Sequence, residues 1–235
     1  MADTTYLKRR DQIETYFDRT AAQAWERLTS TAPVGRIRAT VRAGRDQMRG
    51  TLLGWLPDDM RGLRLLDAGC GTGALAMEAA QRGADVVAID LSPTLVQLAR
   101  ERHGNTPVGT QGGRIHFTSG DMLDESLGHF DHVVAMDSLI HYDTPDIVAA
   151  LERLSQRTRG SLLFTFAPRT PLLAAMHSVG RLFPRSDRSP ALTPVAQPRL
   201  REGLCNSIGV GGWREGRSHR VASGFYTSQA WEWQR

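Results

Sequence analysis

The chain has 235 residues, 40% of them hydrophobic, with a net charge of +4, 29 basic residues and two cysteines. That length suits one α/β domain with decoration, and two cysteines make neither a disulfide framework nor a metal spacing, which fits a reducing, cytoplasmic setting. All the basic residues but Lys8 are arginine and acids are interspersed among them, which argues against a nucleic-acid partner and leaves an anionic small substrate or loose peripheral contact with an anionic membrane surface.

Met1–Gln12 is polar, so no signal peptide is expected, and no apolar run approaches the roughly 20 residues that span a bilayer. Residues 5–30 are predicted helical, with Ile13, Tyr16, Phe17, Ala24, Trp25 and Leu28 at three- and four-residue steps. Ser30–Gly35 is a loop. A second helix is predicted over 36–56, where Val41, Met48, Leu52, Trp55 and Leu56 share a face, and Pro57-Asp58-Asp59 ends it. Strands and helices then alternate: strand 63–68, helix 73–82, strand 85–90, helix 93–103, strands 114–118 and 131–136, helix 145–156 and strand 160–166. Ser92-Pro93 supplies an N-cap followed by proline at the first helical position. Asn105–Gly113 is a Gly/Pro-rich loop. Beyond Pro168 an amphipathic helix is predicted over 171–182, with Phe183 beyond it, then an irregular excursion, a short helix over Leu200–Ser207, and a hairpin of Trp213–His219 with Val221–Thr227.

This alternation predicts a doubly wound, mostly parallel α/β sheet of Rossmann-like type with an antiparallel C-terminal strand. The division expected is an N-terminal helical arm or lid, 1–60, and a ligand-binding domain, 61–235, with an irregular insertion at about 184–212.

Within this frame, Leu65-Leu66-Asp67-Ala68-Gly69-Cys70-Gly71-Thr72-Gly73 carries the most chemistry. Apolar residues end a strand, and glycines then let a ligand approach bare backbone at the start of a helix. Strand 85–90 ends in Asp90, placed to accept hydrogen bonds from ribose hydroxyls. A nucleoside cofactor follows. Spacing alone leaves a dinucleotide open, because Ala74 can close the helix onto the strand. Asp67 turns the balance: a carboxylate beside the turn suits the cationic amino-acid end of a ligand better than a pyrophosphate.

Leu65–Gly73, Val87–Asp90, Gly120-Asp121-Met122 and Phe130–Asp137 together resemble the ordered motifs of the class I S-adenosylmethionine-dependent methyltransferases. Carried onto these positions, the resemblance implies a cofactor set of Asp67, Gly69, Cys70, Gly71, Gly73, Asp90, Leu91, Asp121, Met122 and Asp137. Asp90 would take the ribose and Asp121 the adenine amino group, the alternative for both being helix caps. S-adenosylhomocysteine would be the product.

The decoration narrows the acceptor. Tyr16–Thr20 with Trp25–Leu28, Ile37–Gly44, Asp137–Tyr142, Phe164–Thr170 and Ser223–Ser228 resemble the magnesium-protoporphyrin IX O-methyltransferases of (bacterio)chlorophyll biosynthesis, over nearly the whole chain except 187–212. That family methylates a propionate of magnesium protoporphyrin IX, so the magnesium belongs to the substrate and no protein-bound metal is expected. A propionate with a pKa near 4.3 is already ionised at neutral pH, so positioning is the main task. His141, just past strand four, is the first candidate for orienting it, and Tyr16 is the second, as a lid hydroxyl. Arg38 and Arg42, four apart on a helix, could bind the other propionate or form a solvated face. Tyr142 adjoins the site as a further substrate contact or a packing residue. Phe17, Trp25, Phe166, Met176 and Phe183 are available to line an apolar cleft. The resemblance also implies partnership with the magnesium chelatase large subunit. Other readings are a methyltransferase for a quinone, phenol or carboxylic acid, a catalytically silent binding module, and an NAD-dependent oxidoreductase.

Overall fold

The computed structural model describes residues 4–18, 35–104, 112–169 and 192–235. Its strands are Arg64–Ala68 (β1), Asp85–Asp90 (β2), Arg114–Ser119 (β3), Phe130–Ala135 (β4), Thr158–Phe166 (β5), Arg214–Ser223 (β6) and Tyr226–Gln234 (β7). They form one sheet in the order β3-β2-β1-β4-β5-β7-β6. The first five are parallel, and β7 lies antiparallel between β5 and β6. The helices are Thr4–Tyr16 (α1), Arg36–Leu53 (α2), Ala74–Gln81 (α3), Pro93–His103 (α4), Thr144–Ser155 (α5) and Gln197–Asn206 (α6). This is the expected doubly wound, Rossmann-like architecture.

Central strands are apolar at consecutive positions because both faces are covered. Leu66, Val87 and Val133 pack with Tyr6, Ile13, Ile147, Leu151, Leu200, Trp231 and Trp233 on one side. Leu65, Val86 and Val134 pack with Met48, Leu52, Leu75, Ala79 and Val96 on the other. The second half of α2 therefore belongs to the core, with Met48 and Leu52 wholly buried. Local signals set the helix starts. The Ser92 hydroxyl accepts from Leu95 N–H at 3.2 Å with Pro93 following, and Asp143 accepts from Asp146 N–H at 3.2 Å.

Three boundaries differ from expectation by three residues or more, the first being α6, which starts at Gln197 rather than Leu200. Helix α2 stops at Leu53, where Gly54 caps it, rather than at 56. The C-terminal hairpin turns at Ser223–Phe225, not near Arg220, and its second strand runs on to Gln234. Gly224 explains the turn: its φ is +56, and its bare Cα lies where a side chain would strike Thr40. Arg220 stays in the ladder opposite Gln229. The expected helix 171–182, residues 19–30 of the first expected helix with Trp25, Met176 and Phe183, the loop of 105–111 and the start of the 184–212 insertion lie outside the described residues.

Candidate active site

The strand order reverses between β1 and β4, and ligands of doubly wound sheets sit outside the strand ends at such a point. The glycine turn lies there. Gly69 N–H and Cys70 N–H both donate to the Ile89 carbonyl, at 2.8 and 2.9 Å. Gly71 N–H donates to Asp90 Oδ2 at 2.8 Å, and Ser92 N–H donates to Asp90 Oδ1 at 3.0 Å. Gly69, Gly71 and Gly73 all have positive φ, and a Cβ on Gly69 would collide with the Ser138 side chain. The turn is thus pinned to the end of β2 through the Ile89 carbonyl and the Asp90 carboxylate.

Asp67 is buried at the base of the turn, and its Oδ2 has no hydrogen-bond partner. Burial, then the nearby charge of Asp90, pushes its pKa up to about 7. Burial also raises Asp90, against the N–H donors of Ser92 and Gly71, which favour its charged form. Cys70 is held above its ordinary range, first by burial.

A cavity of about 430 Å³ opens above the turn. Of the cofactor candidates, Gly69, Gly71, Asp90, Leu91, Met122 and Asp137 line it, and of the substrate candidates, Tyr16, Arg38 and His141 do. The structure therefore joins the two groups in one space. Phe17 lies in its wall, with its ring 6.1 Å from the His141 imidazole. His141 is 4% exposed, and the segment carrying it is held by Thr193, whose N–H donates to the Ile140 carbonyl at 2.9 Å and whose hydroxyl donates to the His141 carbonyl at 3.2 Å.

Several candidates are placed elsewhere. Asp67, Cys70 and Gly73 are not among the lining residues. Asp121 turns its carboxylate to the arm: Tyr6 Oη donates to its Oδ1 at 2.8 Å, and Arg10 pairs with its Oδ2 at 3.4 Å. Tyr142 is buried and stacks on the Tyr6 ring at 5.0 Å. Burial drives the Tyr6 and Tyr142 hydroxyls well above their ordinary range. Arg42 is half-buried beside the cavity without lining it. Phe166 is buried in the core against Trp231.

The roof is side-chain work. Helix α1 is tied near its start by Thr5 Oγ1 to Asp146 Oδ1, 3.0 Å, and by Tyr6 to Asp121. Just past its end, Asp18 Oδ1 accepts from Thr94 N–H at 3.2 Å and from the Thr94 hydroxyl at 2.5 Å. Between these ties Ile13, Tyr16 and Phe17 face the cavity.

Several lining residues were not site candidates, Arg45, Tyr226 and Ser138 among them. Arg45 Nη1 pairs with Asp137 Oδ2 at 2.7 Å. Its signal was available, because it follows Val41 by four and Arg38 by seven on one helix face. Tyr226 Oη donates to Asp137 Oδ1 at 3.0 Å, and its ring packs where a side chain on Gly44 would be, 2.5 Å away. Ser138 follows Asp137, the one non-glycine residue with positive φ among those described. Asp137 also accepts from the hydroxyls of Thr165 and Ser228, at 3.2 and 3.3 Å. No local pattern announces that convergence from β4, β5, β7 and α2.

Among the described residues no group of His, Cys, Asp and Glu could hold a metal ion, and no helix is long and apolar enough to cross a membrane.

Comparison with known proteins bears on this geometry. Residues 135–235 match the family model described as "Magnesium-protoporphyrin IX methyltransferase C-terminus", and 65–160 match a general methyltransferase domain. The chain is 47% identical over 229 residues to a magnesium-protoporphyrin O-methyltransferase of Rhodobacter capsulatus, covering 97% of each chain. A ubiquinone biosynthesis O-methyltransferase of Xanthomonas oryzae is 39% identical over 133 residues, but the match covers 54% of each. The crystal structure of magnesium protoporphyrin IX methyltransferase from Synechocystis PCC 6803 with bound SAH superposes with a TM-score of 0.83 at 27% identity, covering 96% of this chain and 99% of that one.

Proposed function

This chain belongs to the magnesium-protoporphyrin O-methyltransferase family, and from that premise we propose how its own residues carry the reaction. The enzyme transfers a methyl group from S-adenosylmethionine to a propionate carboxylate of magnesium protoporphyrin IX, giving the monomethyl ester in (bacterio)chlorophyll biosynthesis. One observation carries the assignment of residues: a single cavity is lined both by the glycine turn with Asp90 and by Tyr16, Arg38 and His141.

The residues present fit the cofactor. Asp67 Oδ2 is a buried acceptor without a partner, of the sign that a cationic ligand requires. Gly69 and Gly71 bare their backbone to the cavity. Asp90 has two of about four lone-pair sites used by N–H groups, which leaves the others for ribose hydroxyls. When bound, S-adenosylmethionine supplies an electrophilic methyl group on a sulfonium. Leu91 and Met122 offer apolar contact to the adenosine.

On the opposite side the chain positions a nucleophile that is already ionised. His141 donates a hydrogen bond to the propionate and orients one lone pair. Tyr16 adds its hydroxyl from the roof. Arg38 takes the second propionate, which would otherwise be left uncompensated in a partly apolar site. Ile13 and Phe17 close the space, and excluding water favours a step in which opposite charges cancel. The bulky product leaves when α1 lifts, so α1 and the start of α2 form the lid while the second half of α2 stays in the core. Delivery of a poorly soluble porphyrin supports contact with the magnesium chelatase large subunit, and the net charge of +4 supports a peripheral membrane site.

Incubation with labelled S-adenosylmethionine and either magnesium protoporphyrin or metal-free protoporphyrin tests the assignment. Label enters the magnesium porphyrin in the wild type, and it falls with His141→Ala while SAH binding persists. Unchanged turnover in that variant removes His141 from its role.

A further inference from the structure

We propose that Phe225, at the tip of the β6–β7 hairpin, is the platform on which the flat face of the porphyrin rests, and that it determines preference for a planar macrocycle. The proposal rests on the porphyrin reading given above.

The cavity volume of about 430 Å³ lies at the small end of sites that hold one drug-sized ligand. The glycine turn and Asp90 claim that space for the cofactor. The tetrapyrrole ring then lies across the mouth and sends its two propionates inward, to His141 and Arg38. The mouth is apolar where this requires it. Phe225 and Leu192 line the opening yet are 54% and 39% exposed. These are two of the five large hydrophobics that stand exposed among the described residues, and apolar side chains exposed at a cavity entrance mark a binding surface.

Phe225 is also presented rigidly. Gly224 abuts Thr40 on α2. Tyr226 is buried against Gly44 and bonded to Asp137. Both neighbours of Phe225 are therefore fixed while its own ring is left out of the core. Folding gains little from that placement. A flat conjugated ligand gains an aromatic face held at fixed distance from Arg38 and the cavity entrance.

The test compares wild type, Phe225→Ala and Phe225→Trp by quenching of porphyrin fluorescence on binding, by KM and kcat for labelled methyl transfer, and by SAH affinity. Phe225→Ala should raise Kd and KM for the porphyrin about tenfold, with kcat at saturation and SAH affinity unchanged, whereas Phe225→Trp retains wild-type values. The loss of affinity should be equal for magnesium and metal-free protoporphyrin, since stacking does not require the metal. Porphyrin Kd unchanged in Phe225→Ala, beside an active wild type, overturns this inference alone. A wild type that binds SAH but methylates no porphyrin overturns the functional reading and the platform with it.

Discussion

The floor of the cavity and its roof are held in different ways. Backbone N–H groups fix the floor: two meet the Ile89 carbonyl and two more meet the Asp90 carboxylate, all at the end of β2. Side chains from distant parts of the chain fix the roof, through Tyr6 with Asp121, Asp18 with Thr94 and Arg45 with Asp137. A net hydrogen bond contributes about 1 kcal/mol, so breaking a few roof bonds is within reach of thermal fluctuation, whereas moving the floor disrupts the sheet. The part that binds the cofactor is preorganised, and the part that must admit and release a macrocycle is the one that can open.

Four experiments would break or sharpen that contrast. The largest effect is expected in the floor. Gly69→Ala places a Cβ against Ser138 on a backbone of φ +91, and about 2–4 kcal/mol of stability should be lost together with measurable SAH binding, as read by denaturant unfolding and calorimetry. Wild-type behaviour would mean that the turn is pliable. His141→Ala comes next. A mispositioned propionate should lower kcat about 100-fold while calorimetric SAH affinity stays constant, and a parallel loss of SAH affinity would merge the two regions into one.

The third uses pH. Asp67 is neutral below about 7 and ionised above it. Its pKa is raised relative to the unfolded chain, so its contribution to stability is present below pH 4 and is lost as pH rises through 7. The raised pKa of Asp90 acts in the same direction. A cationic ligand prefers the ionised form, so S-adenosylmethionine affinity should climb between pH 6 and 8 as unliganded stability falls. Asp67→Asn should flatten its share of both slopes, and identical slopes in the variant would show that Asp67 does not titrate there. The smallest effect is Tyr6→Phe, which keeps the stack on Tyr142 and removes the bond to Asp121. Global stability should change by about 1 kcal/mol or less, but hydrogen exchange in α1 should quicken and the porphyrin KM should rise. Unaltered exchange would mean that the roof is held elsewhere.

The same contrast explains what could be read from sequence. The floor lies within one strand-turn-helix-strand unit, and Asp67, the three glycines and Asp90 announce it by type and spacing. The roof depends on pairings more than 70 residues apart. Arg45 meets Asp137 because α2 packs over the sheet, and Tyr226 joins them because β7 inserts beside β5. Asp121 shows the limit of motif reading: its position after β3 is as expected, but its carboxylate accepts both from Leu123 N–H, two residues on, and from Tyr6, 115 residues away. Tyr142 and His141 are neighbours pointed into different surroundings, one under the arm and one at the cavity, and adjacency alone could not separate them. The expected hairpin turns four residues early, at Arg220, whereas Gly224, with its φ of +56, is the residue able to turn.

The position of β7 has a consequence for the order in which the molecule is made. The last strand fills the slot between β5 and β6, carries Trp231 and Trp233 into the core, and brings Tyr226 and Ser228 to Asp137. While residues 226–234 are still within the ribosome, β6 has no neighbour to pair with and Asp137 lacks two of its donors. The cavity wall around Asp137 is thus completed only once residues 226–234 have paired with β5 and β6. A chain cut before Tyr226 therefore loses β6 from the sheet together with two of the hydroxyls that hold Asp137.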